Sequence, residues 1–331
     1  MKKVYTSQDV ARLAGVSQST VSRVYTPGVR VSEMKKNKII KAAEKLGYRP
    51  NAMARALITR KSGMIGIIMR SLENPFYPAV LKQFQTGLST LGYHLIFINT
   101  MNEEIEESEI ARLLEYNVEG VIITDAQLSS STSDKFRRYK IPVVLFNRYI
   151  KSSNSSSVCC DNYHASKVIG SYLVASNHKY FGFISGPSNT STTADRLRGF
   201  REVLALKKIR NLVIEPGEFT YESGYKSTKE MLTKHKNIEC IFCGNDIMAI
   251  GAIDAIRDMQ LSVPKDISVV GFDNIAMSGW SPYDLTTWEQ PINQMVEAAV
   301  NVLLTEIKNK KSKPQKIVIK GQMVLRSSVR R

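Results

Sequence analysis

The chain has 331 residues, 43% of them hydrophobic and 23% charged, with four cysteines. That composition excludes a disordered tail, a collagen and a disulfide miniprotein, and no run approaches the ~20 apolar residues of a membrane span. The formal net charge is +16; residues 1–60 hold 13 Lys and Arg against three acids (Asp9, Glu33, Glu44), while the other 271 hold 33 against 27. A basic head on a nearly balanced body predicts binding to a polyanion; a merely solubilising basic face is the alternative. At about 150 residues per domain, the length predicts two or three domains. The opening MKKVYTSQDV has two lysines but no apolar run. No secretory signal is expected, and the protein should stay in the cytoplasm. The cysteines show no framework or metal-ligand spacing, which predicts free thiols and no metal.

In the head, Thr6 and Asp9 have capping-box spacing, with Asp in place of Glu. Val10, Leu13 and Ala14 follow at helical spacing, and Gly15 breaks the helix. Ser17 can cap a second helix with Val21 and Val24 on its inner face, and Val16 in the turn should pack inward. A third helix is expected from the cap Ser32 through Ile39, Ala43 and Leu46, ended by Gly47. Two short helices around a glycine turn form a helix-turn-helix pattern. Its second helix would enter the major groove, with Gln18, Ser19 and Arg23 facing base edges. Ser17 and Thr20 suit phosphate contacts.

The stretch SQDVARLAGVSQSTVSRV resembles the LacI-type transcriptional regulators, and VSEMKKNKIIKAAEKLGYRPNAMARAL is similar to that family's third helix and hinge. The resemblance implies DNA contacts at Thr6, Ser7, Arg30, Tyr48, Asn51, Ala54 and Leu57 as well. Pro50 is placed to start a helix and Asn51 to cap it or bind phosphate, but two turns are too short to be stable in isolation. By resemblance this hinge helix forms on DNA against its twin, and paired Leu57 side chains wedge into the minor groove. The chain departs from the family at Thr26, where Asn is usual, and in the following TPGV. The domains expected are a DNA-binding head over 1–47, a hinge over 48–61 and an effector-binding and dimerisation body over 62–331.

In the body, apolar runs alternate with amphipathic stretches: MIGIIM, HLIFIN, GVIIT, PVVLFN, FGFISG, CIFCG and SVVGF. Helical spacing covers Ala79–Leu91 and Glu104–Tyr116. This alternation predicts doubly wound parallel sheets, too many strands for one sheet, and so two lobes. The lobes would comprise about 62–161 plus 291–320, and about 162–290 plus 321–331. The tail KIVIKGQMVLRSS offers strands that cross between them, as in the two-lobed periplasmic sugar-binding fold that the body resembles. The serine runs at 129–133 and 152–157 read as loops.

Ligands of open parallel sheets bind beyond the carboxyl ends of the strands. The residues found there include Asn74, Phe76, Tyr77, Thr124, Asp125, Asn147, Arg148, Asp161, Arg196, Phe219, Asn245, Asp246, Asp273, Trp280, Tyr283 and Gln290. By resemblance, Asn74, Phe76, Asn147, Arg196, Phe219, Asn245, Asp273 and Gln290 match effector contacts. Tyr77, Thr124, Arg148 and Trp280 complete the expected set. Amides, carboxylates, an Arg fork and aromatic faces suit a polyol. Many relatives carry Asp at the position of Asn147; an amide beside Arg148 favours an anionic ligand, a sugar acid or sugar phosphate. Asn245, Asp246 and Asp273 can instead cap the helices that follow.

No phosphate-binding glycine loop and no GxSxG elbow appears, and the four histidines are scattered, so no enzyme and no cofactor is expected. The expectation is a homodimeric regulator, a repressor in family terms, that binds double-stranded operator DNA under control of a small sugar-like effector. The chain shows no C-terminal leucine heptad, which favours a dimer over a tetramer. A solute-binding receptor, or a regulator controlled by a protein partner, are the alternatives.

Overall fold

The computed structural model describes residues 5–25, 29–49, 61–70, 72–100, 105–125, 130–150 and 154–330. They divide into two units at Gly63 and Met64. In the first, α1 spans Ser7–Ala14, α2 Gln18–Val24 and α3 Glu33–Leu46. The capping box at Thr6 is complete: its hydroxyl oxygen accepts from the Asp9 amide and the Asp9 carboxylate accepts from the Thr6 amide at 2.9 Å. Gly15 at φ 65° and Gly47 at φ 64° end α1 and α3, conformations that cost a side chain-bearing residue energy. Ser32 precedes α3 but makes no side-chain cap bond. Val10, Ala11, Val21, Ile39, Ala42 and Ala43 form a small core, with Val16, Val24 and Tyr48 packed on it. Leu13 shares the helical spacing of Val10 but is 46% exposed and lies outside this core.

The body holds two parallel sheets. The first contains β1 (Met64–Met69), β2 (His94–Asn99), β3 (Gly120–Ile123), β4 (Val143–Phe146), β5 (Ser156–Cys160) and β11 (Lys316–Ile319), in the order β11-β5-β4-β3-β1-β2. Helices α4 (Phe76–Thr90) and α11 (Ile292–Lys308) bury Phe84, Leu88, Met295 and Ala299 on one face. On the other face α5 (Glu107–Glu115) and α6 (Ser130–Arg138) contribute Ile110, Leu113 and Phe136. The serine run expected as a loop at 129–133 therefore runs into α6. Serines tolerate a first helical turn, and the buried Thr132 and Phe136 anchor the helix.

The second sheet has the order β7-β6-β8-β9, with β6 at Phe181–Ile184, β7 at Leu212–Glu215, β8 at Cys240–Cys243 and β9 at Ser268–Val270. Helices α7 (Asn162–Ala175) and α8 (Ser191–Leu206) cover one face, and α9 (Tyr221–Lys234) and α10 (Asp246–Asp258) the other. Phe181, Phe183, Phe200 and Phe242 interlock under α8, with centroids 5.1–6.0 Å apart for four of their pairs. The chain passes between the lobes after β5, after β10 (Thr287–Glu289) and between β11 and β12 (Gln322–Val324). β10 and β12 pair antiparallel at this crossing. Gly321 is required there, since a Cβ would lie 2.1 Å from the Glu289 carbonyl oxygen.

Candidate functional site

On the head, α2 presents Gln18, Ser19 and Arg23 to solvent, with Ser17 at its N-cap. The free N-terminus of a helix directs unsatisfied amides outward, which suits a phosphate. Gln18 Nε2 donates to Ser7 Oγ at 3.0 Å, so these two side chains are held together before any base is met. Ser17 Oγ lies 2.9 Å from Ser19 Oγ and 2.8 Å from Thr20 Oγ1. Thr6 and Arg30 are exposed. Tyr48 is half-buried against the small core and meets Tyr25 edge-on at 6.3 Å. Asn51, Ala54 and Leu57, like Thr26, lie outside the described residues.

In the body, a cavity of about 520 Å³ opens at the carboxyl ends of the strands, between the lobes. From the first lobe come Arg70, Asn74, Tyr77, Asp125 and Arg148; from the second, Thr190, Phe219 and Thr220. Asp125 Oδ1 accepts from the Arg70 amide at 2.6 Å and from Thr124 Oγ1 at 2.9 Å. Thr124 is fully buried and braces Asp125; it is Asp125, not Thr124, that reaches the cavity. Burial, and then the neighbouring Asp125, push the Tyr77 hydroxyl well above its usual range, so it stays a neutral donor. Phe219 holds φ at 60°, an unusual conformation for a bulky residue. Its ring lies over Gly186, where a Cβ would come within 2.0 Å of it, so glycine there is what lets the ring sit flat beside the cavity.

Several expected contacts stand elsewhere. Phe76 is 2% exposed and belongs to the core, edge-on to Tyr77 at 5.3 Å. The reason is helical phase: Phe76 opens α4 on the same face as Val80 and Phe84. Trp280 is 53% exposed just past a 3-10 turn and borders neither described cavity. Asn147, at φ 62°, is buried with its amide hydrogen-bonded to Tyr77. Its Oδ1 is buried without a partner.

Arg196, Asn245, Asp273 and Gln290 gather into one buried cluster. Arg196 Nε donates to Asn162 Oδ1 at 2.8 Å, its Nη1 donates to the Gly244 carbonyl, and its Nη2 lies 3.9 Å from Asp273 Oδ1. The guanidinium stacks 3.6 Å from the centroid of Phe272. Asn245 caps α10 through Met248 N at 3.1 Å and donates to the Phe219 carbonyl at 3.3 Å. Gln290 Nε2 donates to Asp273 Oδ1 at 2.7 Å. Burial raises the Asp273 carboxyl to about 7, although Arg196 pulls it down. Burial likewise raises Asp246 to about 6; Thr287 and the Ile275 amide, at 2.9 Å, hydrogen-bond it. Asp273 and Gln290 also border a second cavity of about 470 Å³ at the lobe crossing. Tyr149 joins the lobes: its OH donates to Asp195 Oδ2 at 2.9 Å and its amide to Ser191 Oγ at 3.0 Å.

Arg70, Asn99, Thr100, Thr190 and Thr220 also border the cavity and were not among the expected contacts. Arg70 directly follows MIGIIM, and Asn99 and Thr100 end and follow HLIFIN. Reading the last residue of each apolar run together with the one after it would have found all three. Thr190 and Thr220 carried only a helix-cap signal, and both do cap helices, α8 and α9. Among the described residues no cluster of His, Cys, Asp or Glu is arranged to hold a metal, and no helix is long and apolar enough to cross a membrane.

A helix-turn-helix head and a body with a polar cavity between two lobes define a DNA-binding regulator that responds to a small molecule. Residues 6–51 match the model of bacterial regulatory proteins of the lacI family, and residues 62–327 that of periplasmic binding proteins and the sugar-binding domain of the LacI family. The HTH-type transcriptional repressor PurR of Klebsiella pneumoniae (strain 342) is 32% identical, covering 98% of this chain and 96% of that protein. The ribose operon repressor of Halalkalibacterium halodurans is 31% identical, covering 98% and 97%. The structure of the lac repressor dimer bound to operator and the anti-inducer ONPF superposes with a TM-score of 0.88 at 26% identity, covering 98% and 99%. The chain belongs to the LacI family of bacterial transcriptional regulators. It binds operator DNA and a small effector, and it is not an enzyme.

Proposed function

We propose that this protein is a cytoplasmic, homodimeric repressor released from its operator, or fastened to it, by a neutral sugar held between the lobes. The observation that carries this reading is the cavity, whose wall combines amides and hydroxyls (Asn74, Asn99, Thr100, Thr190, Thr220) with the rings of Tyr77 and Phe219. Rings cover the apolar face of a sugar, and amides and carboxylates take neighbouring hydroxyl pairs. Arg70 and Arg148 face the same space, but so do Glu73, Asp125 and Glu218. Two cations against three carboxylates favour a neutral polyol over a sugar acid or sugar phosphate. The ribose operon repressor among the relatives supports a sugar, and the lac repressor dimer supports two-fold assembly. Gln18, Ser19 and Arg23 read bases, Ser17 and Thr20 hold phosphates, Asn51 caps the hinge helix or binds phosphate, Ala54 contacts the DNA beside it, and Leu57 wedges into the minor groove. A ligand that binds one lobe angle better than another shifts the population of heads paired for DNA.

The test is thermal unfolding of the full chain against neutral sugars, sugar acids, sugar phosphates and nucleobases. A ligand at 100 times its dissociation constant adds about 2.7 kcal/mol, a shift of several degrees at this size. A shift with a neutral sugar supports the reading. A shift with only charged sugars or nucleobases replaces the effector class, and no shift with any of them removes it. Leu57→Ala should weaken operator binding and leave unfolding unchanged.

A further inference from the structure

The amino ends of the first sheet's strands form the end of the first lobe opposite the cavity. Met64 opens β1 there, so the chain coming from the head enters the body at this end. Five lysines, Lys308, Lys310, Lys311, Lys313 and Lys316, crowd into nine residues between α11 and β11, and all are exposed. None of the five has an ion-pair partner among the described residues. The segment is fixed in place. The Lys311 amide donates to Asn309 Oδ1 at 3.2 Å, and the Gln315 amide donates to Ser156 Oγ at 2.8 Å at the start of β5. Leu303 and Ile307 of α11 close over Gly120 at the start of β3, which sets Lys308 at the same edge.

Exposed Arg137, Arg138 and Lys140 precede β4 at this end too. The carboxylates nearby in the strand order are Glu115, Glu119 and Glu306, and Glu306 accepts a hydrogen bond from Ser156 Oγ. Residues 64–331 hold 32 Lys and Arg against 27 acids. The eight cations named here outnumber these three carboxylates by five.

We infer that this basic end of the first lobe is a second DNA-contacting surface, binding phosphates of the duplex that flanks the operator. It rests on the proposed seating of Leu57 in the minor groove. Six residues, 58–63, then separate Leu57 from β1, a reach of at most about 25 Å over the seven steps. That reach holds Met64 near the groove, and β11 lies four strands to one side of β1, about 19 Å at the ordinary strand spacing; lysines there, set over duplex to the side of the groove, meet a dense phosphate array and displace its counterions. Such contacts add affinity and salt dependence but no sequence preference.

The experiment uses the full-length protein and a palindromic operator selected by it from a random duplex library. Two probes are compared, the operator of ~20 base pairs and the same operator with ~12 further base pairs on each side. The variant is Lys310→Gln, Lys311→Gln and Lys313→Gln together. Wild type should bind the long probe more tightly, by about tenfold, with a salt slope steeper by about 0.9 for each extra phosphate contact. The variant should bind the short probe as wild type does and lose the gain on the long one. Equal wild-type affinity for both probes overturns the inference, as does a variant that retains the gain or is equally weakened on both. So does a variant that keeps the gain yet no longer binds phosphatidylglycerol vesicles that wild type binds. If no duplex can be selected, the DNA-binding reading itself fails, a different result from selecting one that shows no effect of its flanks.

Discussion

The two walls of the interlobe cleft contain similar residue types put to different uses. On the first-lobe side, Arg70, Arg148 and Tyr77 border the open cavity. On the second-lobe side, Arg196, Asn245, Asp273 and Gln290 are each no more than 5% exposed and bond to one another, to Asn162 or to backbone. An arginine at the surface of a cavity can exchange its partners for a ligand. An arginine sealed against Phe272, Gly244 and Asn162 holds the lobe together, since removing it strands buried acceptors and the Asp273 carboxylate. The difference teaches that residue type and strand-end position identify a cleft, while burial separates the residues that already bond to one another from those that face the opening.

The largest effect should come from Arg196→Ala. Breaking a buried pair from one side costs about 3–5 kcal/mol, and denaturant unfolding of the body should show a loss of that order. Arg148→Ala is the contrasting case. It should leave the unfolding midpoint within about 0.5 kcal/mol, as surface changes do, while weakening the ligand-induced shift in melting temperature. If Arg196→Ala proves as mild as Arg148→Ala, the distinction between the walls is wrong.

The buried acids offer a second way to sharpen it. Asp273 at about 7 and Asp246 at about 6 sit above the ordinary carboxylate value, so the folded body holds protons that the unfolded chain releases. Between about pH 4 and pH 7 the native state binds more protons than the unfolded one, and their contribution to stability falls as pH rises. Asp273→Asn should flatten the part of the stability profile ending near pH 7, and Asp246→Asn the part ending near pH 6. A pH titration of the melting temperature of each variant checks this; profiles parallel to wild type would count against burial of these charges. The smallest effect concerns the head. Thr6→Ala removes the α1 cap and should cost about 1 kcal/mol, read from amide exchange of α1, with the ligand response unchanged.

The head was legible in sequence nearly to the residue because its signals are local. A cap at Thr6, a glycine at 15, a cap at Ser17 and a glycine at 47 each act within one turn of the helix they bound. Leu13 keeps that spacing and is still exposed, because helical spacing gives a phase and not burial. The strands of the body were equally plain, since fully buried parallel strands must be apolar runs. The cleft was readable only in outline. Phe76, Asn74 and Tyr77 lie within four residues of one another, yet Phe76 is core while Asn74 and Tyr77 line the opening.

The sequence by itself determined the head, the alternation of strands and helices, the two lobes and the family, because these rest on periodicity and on turns that need particular residues. Tertiary structure alone decided that Arg196, Asp273 and Gln290 gather in one buried cluster while Arg70 and Asp125 face the opening. It also decided that lysines near residue 310 and basic residues near 138 share one end of a sheet. Parallel strands bring distant segments to a common edge, and a side chain's freedom to bind depends on what the fold has already placed beside it.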